Sequence, residues 1–290
     1  MNEAPVAANP LSKWLKLFLK IAITTVCLWY VSGKIDFDKA GSALMSADWL
    51  LLVFAFVAFI ISKLVAAIRL NIYFRNIGIH LTFFQNLKLY WLGMFYNLFL
   101  PGSIGGDAYK VILLSKKFKT SYKKTTAAVL LDRISGLLGL FLLLSLYAIQ
   151  ILPAKWYLFL IIGGTFLSII GLYFAVKFWL RDFLRSFFST LMLGIVVQVM
   201  QIICVYLIMF SLGVESPDKY MIIFLVSSVV SVLPLTIGGL GIREVVFLEG
   251  SKYFALPQET SVVISLLFYL ITLITSAVGS IYVFKDPLKK

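Results

Sequence analysis

Two short phrases of the sequence carry residue types from which an anion-binding site can be built. Residues 100–106 read Leu-Pro-Gly-Ser-Ile-Gly-Gly and precede Lys110, and residues 233–239 read Leu-Pro-Leu-Thr-Ile-Gly-Gly and precede Arg243. The phrases share Leu, Pro, Ile and the Gly pair at a constant offset of 133 residues. Chance similarity between apolar segments would reproduce Leu and Ile, but not a Pro and a Gly pair at fixed spacing. We therefore interpret the two phrases as copies of one repeated unit.

Each copy predicts a helix that ends within an apolar stretch and a second helix that begins there. Pro lacks an N–H group and crowds the preceding turn, and Gly-Gly allows the chain to reverse with positive φ. The free N–H groups of the second helix attract anions, and Asp107 is a candidate N-cap in the first copy. Lys110 and Arg243 add positive charge about one turn further on. A kink that only packs helices closely is the alternative, and the second copy argues against it.

The composition places these phrases in a membrane. Of 290 residues, 61% are hydrophobic and only 13% are charged, with a mean hydropathy of +0.98. Average soluble domains carry roughly twice that charged fraction, so the chain is expected to be an all-α polytopic membrane protein that forms one transmembrane domain, 1–290. Because both cysteines lie in apolar runs and there is a single histidine, we expect no disulfide framework, no metal site and no histidine relay. We also expect no cofactor and no catalytic residue.

Hydropathy predicts about six full spans. Six uninterrupted apolar runs are each long enough to cross a bilayer, and the first run is interpreted as an uncleaved span rather than a signal peptide. The runs are 14–32, 49–70, 125–151, 156–177, 189–212 and 260–284. Two further apolar stretches, 83–115 and 219–250, are interrupted by the repeated phrase.

The distribution of Lys and Arg sets the expected topology. With a cytoplasmic N-terminus, the inner side receives the basic residues of 13–20, 69–88, 116–124, 177–185 and 285–290. This assignment works only if 83–115 and 219–250 are re-entrant hairpins that return to the side they enter from. The formal charge of +13 then reflects basic inner loops and anionic lipids rather than nucleic acid.

An odd number of crossings between the copies gives them opposite orientation. The sequence thus predicts an inverted repeat, with a first half at about 49–151 and a second half at about 189–284. Gly/Pro-broken segments in matching halves indicate a transporter site at the membrane midplane.

The phrases NLFLPGSIGGDAYKVILL, DRISGLLGL and LPLTIGGLGIREVVFLEG give a resemblance that covers nearly the whole chain. With them the sequence resembles the lysylphosphatidylglycerol synthetase transmembrane-region family, which includes the flippase region of the bacterial multiple peptide resistance factor. The resemblance implies a transporter that moves lipids or lipid-linked headgroups between leaflets of a bacterial-type cytoplasmic membrane. The soluble aminoacyl-transferase domain of larger members is not in this sequence, so synthetase activity is not implied.

The family pattern, carried onto matching positions, implies a set of substrate-binding residues. Where the family often has Glu-Arg this chain has Asp132-Arg133, and where it often has Arg this chain has Lys110, which keeps the charges. The implied residues are Asn97, Pro101, Gly105, Gly106, Asp107, Lys110, Asp132, Arg133, Pro234, Gly238, Gly239, Gly241, Arg243 and Glu244.

Other charged residues within apolar runs have two interpretations each. Arg69 and Arg75 lie near the inner end of the second run, where snorkelling to headgroups is expected, whereas Lys63 lies deeper. Asp107 and Lys110, three apart on one helix, are candidates to neutralise each other. Adjacent Asp132 and Arg133 point to different sides, and one is expected to meet a partner on the re-entrant helix.

Three functions fit these residues. The first is a flippase for a lipid with an anionic or otherwise polar headgroup, whose phosphate Lys110 and Arg243 would hold. The second is a secondary transporter of a small anion, and the third, ranked last, is a polyprenyl-phosphate-dependent transferase. Membrane lipids are the expected partners and nucleic acid is not. The oligomeric state stays open, with a homo-oligomer among the alternatives.

Overall fold

The computed structural model describes residues 10–99, 105–151, 156–233 and 235–289, and this part of the chain is helical without strands. Two short 3-10 helices, Arg181–Ser186 and Val278–Tyr282, precede α8 and follow α11. The α-helices are α1 (Pro10–Ser32), α2 (Phe37–Met45), α3 (Trp49–Asn76), α4 (Phe83–Phe99), α5 (Gly105–Phe118), α6 (Tyr122–Ile151), α7 (Trp156–Trp179), α8 (Phe187–Ser211), α9 (Asp218–Val232), α10 (Ile242–Tyr253) and α11 (Gln258–Ala277).

Five described segments are long and apolar enough to cross a membrane. They are Trp49–Asn76, Tyr122–Ile151, Leu158–Trp179, Arg181–Ser211 and Gln258–Tyr282. Phe18–Ser32 and Phe37–Met45, which meet at 90°, count as a sixth if the bent pair is one span. Large apolar side chains such as Phe159, Leu167 and Phe178 are exposed, as on surfaces that face lipid. The expected all-α polytopic membrane protein is confirmed.

Both interrupted stretches fold as helical hairpins. In the first, α4 and α5 run antiparallel, and the rings of Tyr96 and Tyr109 pack 5.1 Å apart. In the second, α9 and α10 run antiparallel, with Gly250 against Ile223. These four helices have 17, 14, 15 and 12 residues, fewer than the roughly 20 that a full crossing needs. Re-entry of each hairpin from one side of the membrane stays a prediction.

The element order of the two halves corresponds. A shift of 133 residues carries α3, α4, α5 and α6 to 182–209, 216–232, 238–251 and 255–284, close to the bounds of α8, α9, α10 and α11 with their 3-10 extensions. Helices α3 and α8 are antiparallel, since Asp48 N–H at the start of α3 donates to Ser211 O at the end of α8. An inverted repeat predicts this arrangement, although the symmetry itself stays a prediction.

The described apolar core forms two large clusters, one beside each hairpin, and a small third cluster of Val31, Leu248 and Val262. The largest includes Phe224 of α9 and Phe247 of α10, and the second includes Leu89 of α4 and Leu114 of α5. Helices α3, α6 and α8 contribute residues to both of these large clusters, α3 and α8 with their opposite ends.

The Gly pairs of the two phrases have different backbone conformations. Gly238 and Gly239 have φ of 61° and 87°, so positive φ is confirmed in the second copy. Gly105 and Gly106 are instead the first residues of α5, and Gly106 does not have a positive φ, so the expectation was wrong at Gly106. Gly106 is needed for space, because a Cβ there would overlap the backbone of Gly93 on α4. Pro101 and Pro234 lie outside the described residues; α4 ends at Phe99 and α9 at Val232, just before them.

Candidate functional site

A cavity of about 480 Å³, here called the central cavity, lies between the two hairpins. Helices α3, α6, α8 and α11 complete its wall. Its polar and charged lining consists of Lys63, Arg69, Tyr90, Asn97, Arg133, Gln198, Gln201, Ser231, Thr236, Thr272 and Ser276. The volume falls in the range of small-molecule and headgroup sites.

The hairpin tips meet at this cavity. Leu98, at the end of α4, contacts Gly238, and a Cβ on Gly238 would overlap the Leu98 side chain. Asn97 and Leu98 line the cavity from the first hairpin, and Gly238 and Gly239 line it from the second. Positive φ at the two glycines lets the chain turn close to Leu98 and Ser231 without a side chain in between.

The cavity is at mid-depth of the helix bundle. Lys63, Gly136 and Gln198 line it, and they lie close to the midpoints of α3, α6 and α8 respectively. Helices α6 and α8 approach closely just beside it, where Gly139 packs on the backbone of Gly194. A substrate in this cavity would sit near the middle of three crossings.

The described lining of the central cavity is basic. Lys63, Arg69 and Arg133 contribute cations, and none of the described lining residues is acidic. Asp107 and Asp132 lie behind this wall, in an adjoining pocket of about 230 Å³ here called the inner pocket. The two spaces share Arg69, Asn97 and Arg133 in their linings.

Asp107 ties three helices together in the inner pocket. Its Oδ1 accepts from Lys110 Nζ at 3.1 Å and from Asn97 Nδ2 at 3.3 Å, and its Oδ2 pairs with Arg133 Nε. Lys110 is buried against Tyr90, with its ammonium 5.1 Å from the ring centroid. Lys110 is therefore neutralised by Asp107. This is one of the two roles that the sequence indicated for Lys110, the other being a phosphate contact.

Asn97 caps the start of α5 from the neighbouring helix. Its Oδ1 accepts the Gly106 N–H at 2.9 Å, while its Nδ2 faces Asp107. The expectation that Asp107 is the N-cap was wrong, because Asp107 is the third residue of α5 and its carboxylate binds side chains. One N–H that could have met an anion is thus already occupied.

Asp132 and Arg133 point to different partners, as expected from their adjacency. Arg133 reaches Asp107 on α5, and Asp132 Oδ1 accepts from Arg69 Nε at 2.7 Å. The expectation that Arg69 extends to the lipid headgroups was wrong, because its side chain is buried in the ion pair with Asp132. The guanidinium fits between α6 and α8 because Gly136 and Gly194 carry no side chain there.

Arg243 and Glu244 hold the second hairpin. Arg243 Nη1 donates to Ser227 Oγ and Ser228 Oγ on α9 at 3.3 and 3.2 Å, and its guanidinium lies 4.9 Å from the Phe268 ring. Glu244 is fully buried and accepts from the Gly241 N–H at 2.6 Å and from Ser265 Oγ at 2.7 Å. Neither side chain is in an ion pair within the described ranges.

The implied residues thus fall into three places. Asn97, Arg133, Gly238 and Gly239 line the central cavity; Asp107, Lys110 and Asp132 line the inner pocket; and Gly105, Gly106, Gly241, Arg243 and Glu244 shape or brace the hairpins. The sequence-derived set omitted Lys63, Arg69, Gln198 and Gln201. The sequence feature that could have identified these four residues is a polar side chain within an apolar run.

Comparison with known proteins agrees with the fold. A sequence model of a family described as "Lysylphosphatidylglycerol synthase TM region" matches residues 17–190 and 176–279. The chain is also 29% identical over 146 residues to a UPF0104 membrane protein of Pyrococcus horikoshii, and 28% identical over 101 residues to one of Archaeoglobus fulgidus. These alignments cover 49% and 35% of this chain, and 42% and 30% of the relatives. The match thus spans less than half the length of either relative.

Proposed function

Since the chain belongs to the family of the lysylphosphatidylglycerol synthase transmembrane region, we propose that it moves a lipid with a polar or anionic headgroup between the leaflets of the cytoplasmic membrane. The observation that carries the proposal is the central cavity, which lies at mid-depth between two hairpin tips and is lined by three basic residues. A lipid-linked headgroup, such as a polyprenyl phosphate, belongs to the same class of substrate.

A mid-depth polar cavity lowers the barrier that stops lipids from crossing unaided. A headgroup in the hydrocarbon core lacks the water that solvates its charge, which costs many kcal/mol for an isolated ion. Cations and amides on the cavity wall replace part of that hydration, while the tails stay in the bilayer. Asn97 and Arg133 from the first half, with the Gly238–Gly239 backbone from the second, are the proposed headgroup contacts.

Transport between the leaflets also requires that the cavity open alternately to each side. In transporters with inverted repeats, one half rocks against the other around a fixed site. The contact between Leu98 and Gly238 is the place where the two hairpins would slide or separate. Both chain ends are proposed to lie in the cytoplasm, as the basic loops indicate.

A transporter of a small soluble anion is the second candidate, because free phosphate offers the same chemistry to the same cations. A membrane transferase has less support, because the buried carboxylates Asp107, Asp132 and Glu244 all bind cations or hydrogen-bond donors of the protein. The family model that matches the chain describes a transmembrane region.

Flipping in proteoliposomes tests the proposal. The purified chain is reconstituted with fluorescent lipids that carry phosphoglycerol, phosphocholine, phosphoethanolamine or polyprenyl phosphate headgroups, and dithionite bleaches the outer leaflet. We expect at least one headgroup to become fully bleachable with the protein and only half bleachable in protein-free vesicles. Uptake of radiolabelled phosphate without movement of any lipid would support the small-anion transporter instead.

A further inference from the structure

We propose that the central cavity selects a phosphate-bearing headgroup with net negative charge and no amine, and that Lys63 and Arg69 of α3 hold it. This inference rests on the proposed function and names the substrate class of the same site. Neither residue belongs to the set implied by the repeated phrases.

Arg69 lines the cavity, and its unpaired hydrogen-bond donor, Nη1, is buried beside Gly136 and Gly194. The residue is 5% exposed, and its Nη1 is buried without a hydrogen-bond partner among the described residues. Its Nε is already bound to Asp132, so the side chain is fixed in place and Nη1 is left over. A buried guanidinium N–H without a partner is costly, and an anionic oxygen would satisfy it.

Lys63 offers a whole uncompensated charge. Its ammonium lies 4.3 Å from the Phe59 ring centroid and makes no ion pair with the described acidic residues. An intramembrane Lys that faces a polar cavity without a carboxylate indicates a functional position. The neighbouring Gln198 and Gln201 add amide groups to the same stretch of wall.

Lys63 and Arg69 lie at different heights along the axis of α3. Lys63 and Arg69 are six residues apart on α3, which corresponds to roughly 9 Å along the helix axis. Ala66 lies between them on the cavity wall and leaves room for a ligand. A phosphate that moves along α3 would therefore pass from one cation to the other.

The acidic residues nearby are not available to an amine. Asp132 is bound by Arg69, and Asp107 by Arg133, Lys110 and Asn97. A lysylated headgroup would bring its ammonium groups against Lys63 and Arg69 in a low dielectric, where like charges repel strongly. The lysylated lipid in the family's name is therefore a poor match for this cavity.

Headgroup competition on matched variants tests the inference. Wild type, Lys63→Gln, Lys63→Arg and the control Lys177→Gln, which removes an exposed lysine of α7, are reconstituted with labelled phosphatidylglycerol, phosphatidylcholine or lysylphosphatidylglycerol. We expect wild type to move phosphatidylglycerol about tenfold or more faster than the other two lipids, as one charged hydrogen bond would account for. Lys63→Gln should lose most of that preference, whereas Lys63→Arg and Lys177→Gln should keep it.

Binding in detergent separates this inference from the proposed function. The midpoint of thermal unfolding is measured with dioctanoyl phosphatidylglycerol, dioctanoyl phosphatidylcholine or inorganic phosphate. Stabilisation by phosphatidylglycerol that is lost in Lys63→Gln supports the headgroup site even if no lipid is flipped, an outcome that would reject only the flippase. Flipping of all three lipids at equal rates, or an unchanged preference in Lys63→Gln, would overturn the inference and leave the flippase standing. Stabilisation by inorganic phosphate alone would also overturn it.

Discussion

At the residue scale, one carboxylate carries much of the charge balance beside the cavity. Asp107 accepts from Lys110, Asn97 and Arg133, which lie on α5, α4 and α6. Lys110 is buried, whereas Arg133 is partly exposed to the cavity. Loss of this carboxylate would leave the buried Lys110 ammonium without its ion-pair partner, while loss of Lys110 would leave Asp107 paired with Arg133.

Asp107→Asn should therefore destabilise the protein by roughly 3–5 kcal/mol, the usual effect of breaking a buried ion pair. Lys110→Gln should cost less, and the double variant Asp107→Asn/Lys110→Gln should be more stable than Asp107→Asn alone. Thermal unfolding in detergent, followed by tryptophan fluorescence, checks the order. Equal destabilisation by the two single changes would mean that Arg133 does not compensate Asp107.

Arg243 gives a second prediction at this scale. Its guanidinium bonds two serines of α9 and lies against Phe268 and Phe224, outside the described lining of the central cavity. The ammonium of a lysine cannot make the two hydrogen bonds and the ring contacts of the planar guanidinium, so Arg243→Lys should lower the unfolding midpoint. The variant protein that remains folded should keep the wild-type flipping rate. Lost flipping at unchanged stability would instead identify Arg243 as a phosphate contact.

At the element scale, the sequence predicted the helices well and their packing only in part. Apolar runs and Pro/Gly breaks are local signals, so the spans and both hairpins could be located. The close helix packing at Gly106 could not, because it depends on the approach of Gly93 from another helix. The exposure of Lys63 to a cavity likewise depends on how α3 is rotated against α6 and α8, which hydropathy does not encode.

The first hairpin offers a direct test of this packing. A Cβ at Gly106 would overlap the Gly93 backbone, so Gly106→Ala should force α4 and α5 apart and cost about 1–3 kcal/mol or more. Gly163→Ala on α7 is the matched control, because a Cβ there meets nothing within 4 Å. Unfolding midpoints of the two variants give the comparison, and equal midpoints would contradict the described hairpin contact.

At the scale of the whole molecule, the proposed topology requires two hairpins that enter the membrane from opposite sides. In a background without Cys27 and Cys204, single cysteines at positions 80 and 119 should both label from the cytoplasm. Cysteines at 215 and 256 should both label from outside. A membrane-impermeant maleimide applied to right-side-out and inverted vesicles reads the result. Labelling of either pair from opposite faces would mean that the stretch crosses the membrane.

Filling the central cavity without changing a charge tests whether lipid headgroups pass through it. Gln201 lines the cavity from α8, whereas Gln150 is exposed near the end of α6. The measurement is the flipping rate of labelled lipid by Gln201→Trp and Gln150→Trp, each at wild-type unfolding midpoint. We expect Gln201→Trp to flip lipid at about a tenth of the wild-type rate or less, a barrier increase of about 1.4 kcal/mol or more, and Gln150→Trp to be unimpaired. Wild-type flipping by folded Gln201→Trp would contradict the claim that headgroups pass through this cavity.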